Sequence, residues 1–204
     1  MSAPLEKAVR FFDRIVMLCA WPGKATAWLI LAIIGLSALS IFAGLFRWHS
    51  FLSWEQPVFL LGTEFNSTSL MELQWHLFAV MMLFAGSYTH ALDGHVRVDI
   101  LYSRMSVKGK LAVNFLGDLL FLLPFALYIA WYSIDLARFA YLTGETSSEM
   151  GLTHRWVIKS VLPLAMALLA VQAFSRGMSG LLRFADLCLH KDSGELTEKP
   201  KEEA

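Results

Sequence analysis

The sequence predicts an all-α integral membrane protein: four transmembrane helices, both termini cytoplasmic, and an N-terminal amphipathic interfacial helix. Three observations carry this. Hydrophobic residues make up 56% of the 204-residue chain. Charged residues make up 17%, against about 25% in soluble domains, and they cluster so that long uncharged runs remain. The basic residues flanking those runs gather on one side. A net charge of zero offers nothing to a nucleic acid.

The elements follow in chain order. Residues 4–20 place Leu5, Ala8, Val9, Phe12, Ile15, Val16 and Cys19 on one helical face, and Glu6, Lys7, Arg10, Asp13 and Arg14 on the other. This pattern predicts a surface helix lying flat on the inner leaflet and ended by Trp21-Pro22-Gly23. Residues 25–46 run uncharged from Lys24 to Arg47. They cover roughly 33 Å as a helix, enough for a hydrocarbon core of roughly 30 Å. The run is longer than a signal-peptide core, so it reads as a retained span. Further spans are expected over Leu73–Leu92, Leu111–Ser133 and Val157–Leu182. Loop 47–71, with Trp48, Trp54 and the apolar run 57–61, reads as an interfacial segment without a fold of its own. The chain thus divides into a surface helix and linker (1–24), a four-helix transmembrane domain (25–185) and a polar, disordered cytoplasmic tail (186–204).

Orientation follows from charge. Lys7, Arg10, Arg14 and Lys24 precede the first span. Arg97, Arg104, Lys108 and Lys110 lie between the second and third, and Arg183, Lys191, Lys199 and Lys201 follow the fourth. The opposite side holds Arg47, Arg138, Arg155 and Lys159. The richer side is expected to be cytoplasmic.

Ionisable groups inside spans carry a cost and so a reason. Asp118 lies about eight residues into the third span, with Asn114 one turn earlier on its face. It reads as a tie to a neighbouring helix or subunit, or else as an ion or proton site. Glu72 and Lys159 open the second and fourth spans from the outer side and are expected to pair there, with Asp135 and Arg138 in the same layer. Trp75, Tyr128, Trp131, Tyr132 and Trp156 suit an aromatic belt at that depth. His76 and His90 raise an alternative, a haem- or quinone-associated membrane anchor of a respiratory complex. Bis-histidine ligation needs facing imidazoles, and these two lie roughly 21 Å apart on one helix. No catalytic or Walker motif is present in the sequence, so neither catalysis nor a cofactor is expected in this chain. Cys19 and Cys188 read as ordinary thiols.

Residues 93–100, DGHVRVDI, close the second span. Gly94 is expected to supply a left-handed cap. His95, Arg97 and Asp99 alternate with Val96, Val98 and Ile100, giving one apolar side and one side suited to charge-assisted hydrogen bonds. The segment reads as a docking corner at the inner membrane surface.

With Glu72-Leu73-Gln74-Trp75-His76-Leu77-Phe78, Gly94-His95-Val96-Arg97-Val98-Asp99 and the following LYSRMSVKGK (101–110), the chain resembles the DctQ-type small membrane subunit of tripartite ATP-independent periplasmic (TRAP) transporters. The resemblance covers roughly residues 25–185. It implies a scaffold in the bacterial inner membrane. The expected partners are a large multi-span permease, which holds the substrate and sodium sites, and a periplasmic binding protein. It implies uptake of an organic acid driven by a cation gradient. Glu72, His95, Arg97, Asp99, Asp118 and Lys159 are then subunit-interface or structural polar contacts. The outer loop 47–71 departs from the shorter one that the family leads one to expect.

Overall fold

A computed structural model describes residues 3–94 and 102–195, with side chains described as far as Leu189. Its elements are α1 (Ala3–Thr26), α2 (Leu29–Leu45), β1 (Ser50–Val58), β2 (Gly62–Asn66), α3 (Ser67–Ala91), α4 (Val107–Leu116), a π-helical segment (Gly117–Leu122), α5 (Leu123–Leu142) and α6 (Trp156–Glu195). Four helical stretches are long and apolar enough to cross a membrane: α1 with α2, α3, α4 through α5, and α6. All four expected spans are present.

Helix α6 is the hub, packing against α1, α3, α4, the π segment and α5, while α2 packs on α3. Small residues make these approaches close, as packing between helices in lipid requires. The buried residues of α5 are Ala126, Ala130, Ser133 and Ala140. On α6, Ala165, Ala170, Ala173, Ser175 and Ser179 are buried. A Cβ on Gly177 would stand 2.6 Å from Leu119 Cγ. Outward, α2, the π segment and α5 present Ile34, Phe42, Phe121, Phe125, Trp131 and Phe139, a surface suited to hydrocarbon or to an apolar partner.

The first helix departs from expectation. Trp21-Pro22-Gly23 does not end it; α1 continues through Pro22 to Thr26. Ala27 and Trp28 then donate to the Gly23 and Ala25 carbonyls across a short break before α2. A backbone in lipid must satisfy its own polar groups, so one proline is carried within a helix rather than opening the chain. Gly23 also packs: a Cβ there would clash with the Phe84 carbonyl and lie 2.7 Å from Tyr88 Cβ. The apolar stripe expected to face the leaflet is turned inward, with Val9, Val16 and Cys19 buried as α1 packs against α3 and α6.

Three helices end in the same cap, a residue at positive φ followed by a hydrogen bond back to the third-last helical carbonyl. After α2, Arg47 has φ 55° and Trp48 N–H donates to Ala43 at 2.9 Å. After α5, Gly144 has φ 60° and Glu145 N–H donates to Ala140 at 3.0 Å. After α3 the left-handed residue is Asp93, φ 59°, and Gly94 donates to Thr89 at 2.9 Å. The cap thus sits one residue before the expected Gly94. Aspartate tolerates this conformation better than most side chains, and its carboxylate is used, as described below.

Two further segments hold more structure than the sequence led us to expect. Loop 47–71 contains an antiparallel hairpin, pairing Ser50 with Asn66 and Val58 with Gly62. Trp54 Nε1 donates to the Gly62 carbonyl at 2.6 Å, and Phe51 and Phe65 stack with ring centroids 5.9 Å apart. At the other end, α6 continues to Glu195, past the expected start of an irregular tail at 186. Around that point Phe184 packs against Phe115 (5.5 Å) and Cys188 lies near Lys108 Nζ (3.8 Å).

The break in the third span has a local cause. Pro124 lacks the N–H that would bond to Leu120. The preceding turn widens into the π segment, where Leu123 N–H reaches the Asp118 carbonyl. Such turns re-aim side chains; this one carries Asp118, which is buried.

Candidate functional site: two polar layers

The polar side chains of the spans fall into two layers. The first lies at the hairpin end. Glu72 is 5% exposed, one turn into α3, whose first turn is capped by Asn66 accepting from Ser69 N–H at 2.8 Å. Glu72 Oε1 accepts from Ser147 Oγ at 2.6 Å and from Arg155 Nη2 at 3.0 Å; Oε2 accepts from Leu152 N–H at 2.7 Å. Gly151 admits the carboxylate: a Cβ there would overlap it. The α5–α6 loop is in turn tied to the hairpin. Thr153 N–H donates to Leu60 at 2.8 Å, and Asn66 Nδ2 donates to Met150 at 2.9 Å.

Lys159 does not pair with Glu72. It pairs with Glu145 at 2.5 Å, and Arg155 takes the place expected for it. Lys159 lies in the first turn of α6, whereas Arg155, four positions earlier, closes the preceding loop, where Glu72 meets it. Asp135 and Arg138 lie exposed on α5 and make no ion pair among the described residues.

The second layer lies at the end where α1 begins and α6 runs past the bundle. Asp118 has partners on two other helices: His90 Nε2 at 3.4 Å from Oδ1, and Arg176 Nε at 3.5 Å from Oδ2. Arg176 also donates to the His90 carbonyl and, at 2.5 Å, to Asp93 Oδ1. One guanidinium therefore caps the negative C-terminal end of α3 while holding an acid on the π segment. Beside it, Asp13 accepts from Ser179 Oγ at 2.7 Å and from Arg183 Nη2 at 2.5 Å, joining α1 to α6. A cleft of about 410 Å³ opens here, lined in part by Asp13, Asp93, Asn114, Asp118, Arg176 and Arg183. Asn114 donates to Tyr102 Oη at 3.0 Å.

Along α3 the two layers are roughly 27 Å apart from Glu72 to His90, and along α6 roughly 26 Å from Lys159 to Arg176. That spacing approximates the roughly 30 Å of a hydrocarbon core. Between the layers, polar contacts are few and internal. Gln172 Nε2 donates to the Ser87 carbonyl at 2.8 Å, and Gln74 bridges to Leu36 and Ser37 of α2 at 3.2 Å. His76 Nδ1–H donates to the Glu72 carbonyl at 2.5 Å.

Of the six residues singled out in the sequence, Glu72, Lys159 and Asp118 are placed as above. His95, Arg97 and Asp99 lie outside the described residues. Sequence reasoning missed Arg155, Arg176, Asp93 and Asp13 as partners. One signal was present: Arg176 and Asp118 are the cation and the acid deepest within their spans, and each needs a counter-charge. No group of three or more His, Cys, Asp or Glu side chains suited to a metal ion occurs among the described residues.

Comparison with curated proteins and with solved structures gives no match. Comparison with family models matches residues 58–183 to the DctQ component of the tripartite ATP-independent periplasmic transporters. The matched region runs from the hairpin tip through α3, α4 and α5 and into α6 as far as Arg183, and so contains Glu72, Asp118 and their partners on α3 and α6. The chain belongs to the DctQ family and is a small multi-pass membrane subunit of a TRAP transporter.

Proposed function

We propose that this chain is the stationary frame of its transporter. It sits in the bacterial inner membrane with both termini in the cytoplasm, beside a large permease that holds the substrate and sodium sites. A periplasmic binding protein delivers an organic acid to that permease, and a cation gradient drives uptake. In this reading the chain performs no catalysis and carries no cofactor.

The observation that supports this best is where the charges go. Glu72, Asp118 and Arg176 are each spent on ties within the chain. Fully committed polar networks rigidify a bundle. A frame beside a moving partner needs that rigidity, together with an apolar outer surface of the kind that α2 and α5 present. Arg97 and Asp99 are proposed as docking groups on the cytoplasmic side, and Asp118 as a structural tie rather than an ion site.

Uptake tests this reading. Vesicles carrying the large permease and binding protein should take up substrate under a cation gradient only when this chain is present. Arg97→Ala should lower uptake by lowering the amount of assembled complex, with substrate preference unchanged. Uptake by the large permease alone at the full rate would refute the role.

A further inference from the structure

The outward face of α1 changes character along its length. Lys7, Arg10 and Arg14 are exposed on its first half. Met17, Leu18 and Trp21 are 61%, 71% and 68% exposed on its second. Arg10, Arg14, Met17 and Trp21 follow one another at helical spacing, so they form one stripe. A shallow groove of about 590 Å³ runs along it, lined by Arg10, Asp13, Arg14, Met17, Leu18 and Trp21.

The position of this stripe relative to the bilayer follows from contacts. Asp13 pairs with Ser179 and Arg183, one to two turns beyond Arg176 of the terminal polar layer. Gly23 abuts Phe84 and Tyr88, which precede His90 of that layer. The membrane boundary therefore crosses α1 between Asp13 and Gly23. Arg10 and Arg14 stand at headgroup depth, with Met17, Leu18 and Trp21 below them at the depth of acyl chains.

We propose that this groove binds one phospholipid, its phosphate held by Arg10 and Arg14 and its upper acyl chain lying over Met17, Leu18 and Trp21. Charge selects an anionic lipid. The carboxylate of Asp13 is turned to Ser179 and Arg183, and Glu6 meets Arg10 at 2.6 Å. Arg14, the remaining charge lining the groove, makes no ion pair among the described residues, so the groove keeps an excess of positive charge. Guanidinium groups suit phosphate oxygens by geometry as well as by charge. The site rests on the membrane-spanning fold and is independent of the transporter role.

Tryptophan quenching by brominated lipids tests it. The full chain is placed in nanodiscs of phosphatidylcholine and phosphatidylglycerol at fixed mole fractions, with bromine near the headgroup end of one lipid or the other. The difference between wild type and Trp21→Phe isolates Trp21 from the other tryptophans. Quenching of Trp21 per mole fraction should be about fivefold stronger from brominated phosphatidylglycerol, the enrichment expected of one uncompensated cation near the surface. Arg10→Gln with Arg14→Gln should remove that preference, and Arg10→Lys with Arg14→Lys should keep most of it. Equal quenching by both lipids in the wild type overturns the proposal. So does shielding of Trp21 from both lipids, which would place a protein segment in the groove.

Discussion

Arg176 of α6 donates to Asp93 at 2.5 Å while its Nε stands 3.5 Å from Asp118. One side chain thus fixes the end of the second span to the widened turn of the third. The Asp93 end of this contact depends on a left-handed backbone, because φ 59° turns the chain back at that residue. Removing the guanidinium leaves two acids near a membrane boundary and exposes the final carbonyls of α3.

Arg176→Ala should therefore destabilise the bundle by about 3 kcal/mol, the scale of breaking a poorly hydrated pair by removing one partner. Denaturant titration in mixed micelles measures this. Asp93 separates backbone from charge. Asp93→Gly keeps the turn and loses the carboxylate, so it should cost less than Asp93→Ala, which also strains the positive φ by about 1 kcal/mol.

At the hairpin end the two partners should be unequal. Glu72→Ala orphans the buried Leu152 N–H together with Ser147 Oγ and Arg155, and should cost about 3 kcal/mol. Arg155→Ala leaves the carboxylate with two donors and should cost about half as much. Lys159→Ala breaks a partly exposed pair with Glu145 and should cost under about 1 kcal/mol. Thermal unfolding of the three variants gives the order, and equal losses would mean that Glu72 is not the centre of this layer.

Two glycines of the first membrane-spanning stretch make a matched pair. Gly23 lies against Phe84 and Tyr88, whereas a Cβ on Gly35 would meet nothing within 4 Å. Gly23→Val should separate α1 from α3 and cost about 2 kcal/mol or more. Gly35→Val should stay within about 0.5 kcal/mol of wild type. Disulfide trapping between cysteines introduced on α1 and α3 reads the separation directly.

Cysteine accessibility reports orientation. Cys19 is 6% exposed within the α1 contacts, while Cys188 is half-buried near Lys108. A membrane-impermeant maleimide should label Cys188 in inverted vesicles and not in intact cells, and should leave Cys19 largely unlabelled from either side. Labelling of Cys188 in intact cells would reverse the topology.

The four spans were legible because each is an apolar run long enough for the bilayer, and lipid leaves the backbone no choice but a helix. What the sequence hid depended on tertiary contact. Trp21-Pro22-Gly23 looks like a helix stop, yet Gly23 is the point where α1 meets α3. The hairpin in loop 47–71 is held in part by Leu60 and Asn66 bonding to Thr153 and Met150 of a loop far along the chain, which no local pattern reveals. Glu72 needed a cation, and Arg155 at the end of the α5–α6 loop and Lys159 in the first turn of α6 both qualified; only the docking of that loop chose between them. Asp118 seemed alone because its partners lie on α3 and α6. The cap at Asp93 was placed one residue late because glycine is the commoner residue there.

The central claim is that this chain frames a larger partner, and mild-detergent affinity purification from the native host, with mass spectrometry of what is retained, tests it most directly. The account predicts a large multi-span permease recovered in stoichiometric amount, and a reduced yield of that permease with Arg97→Ala. Recovery of the chain alone, or with a haem protein showing a Soret band, would contradict it.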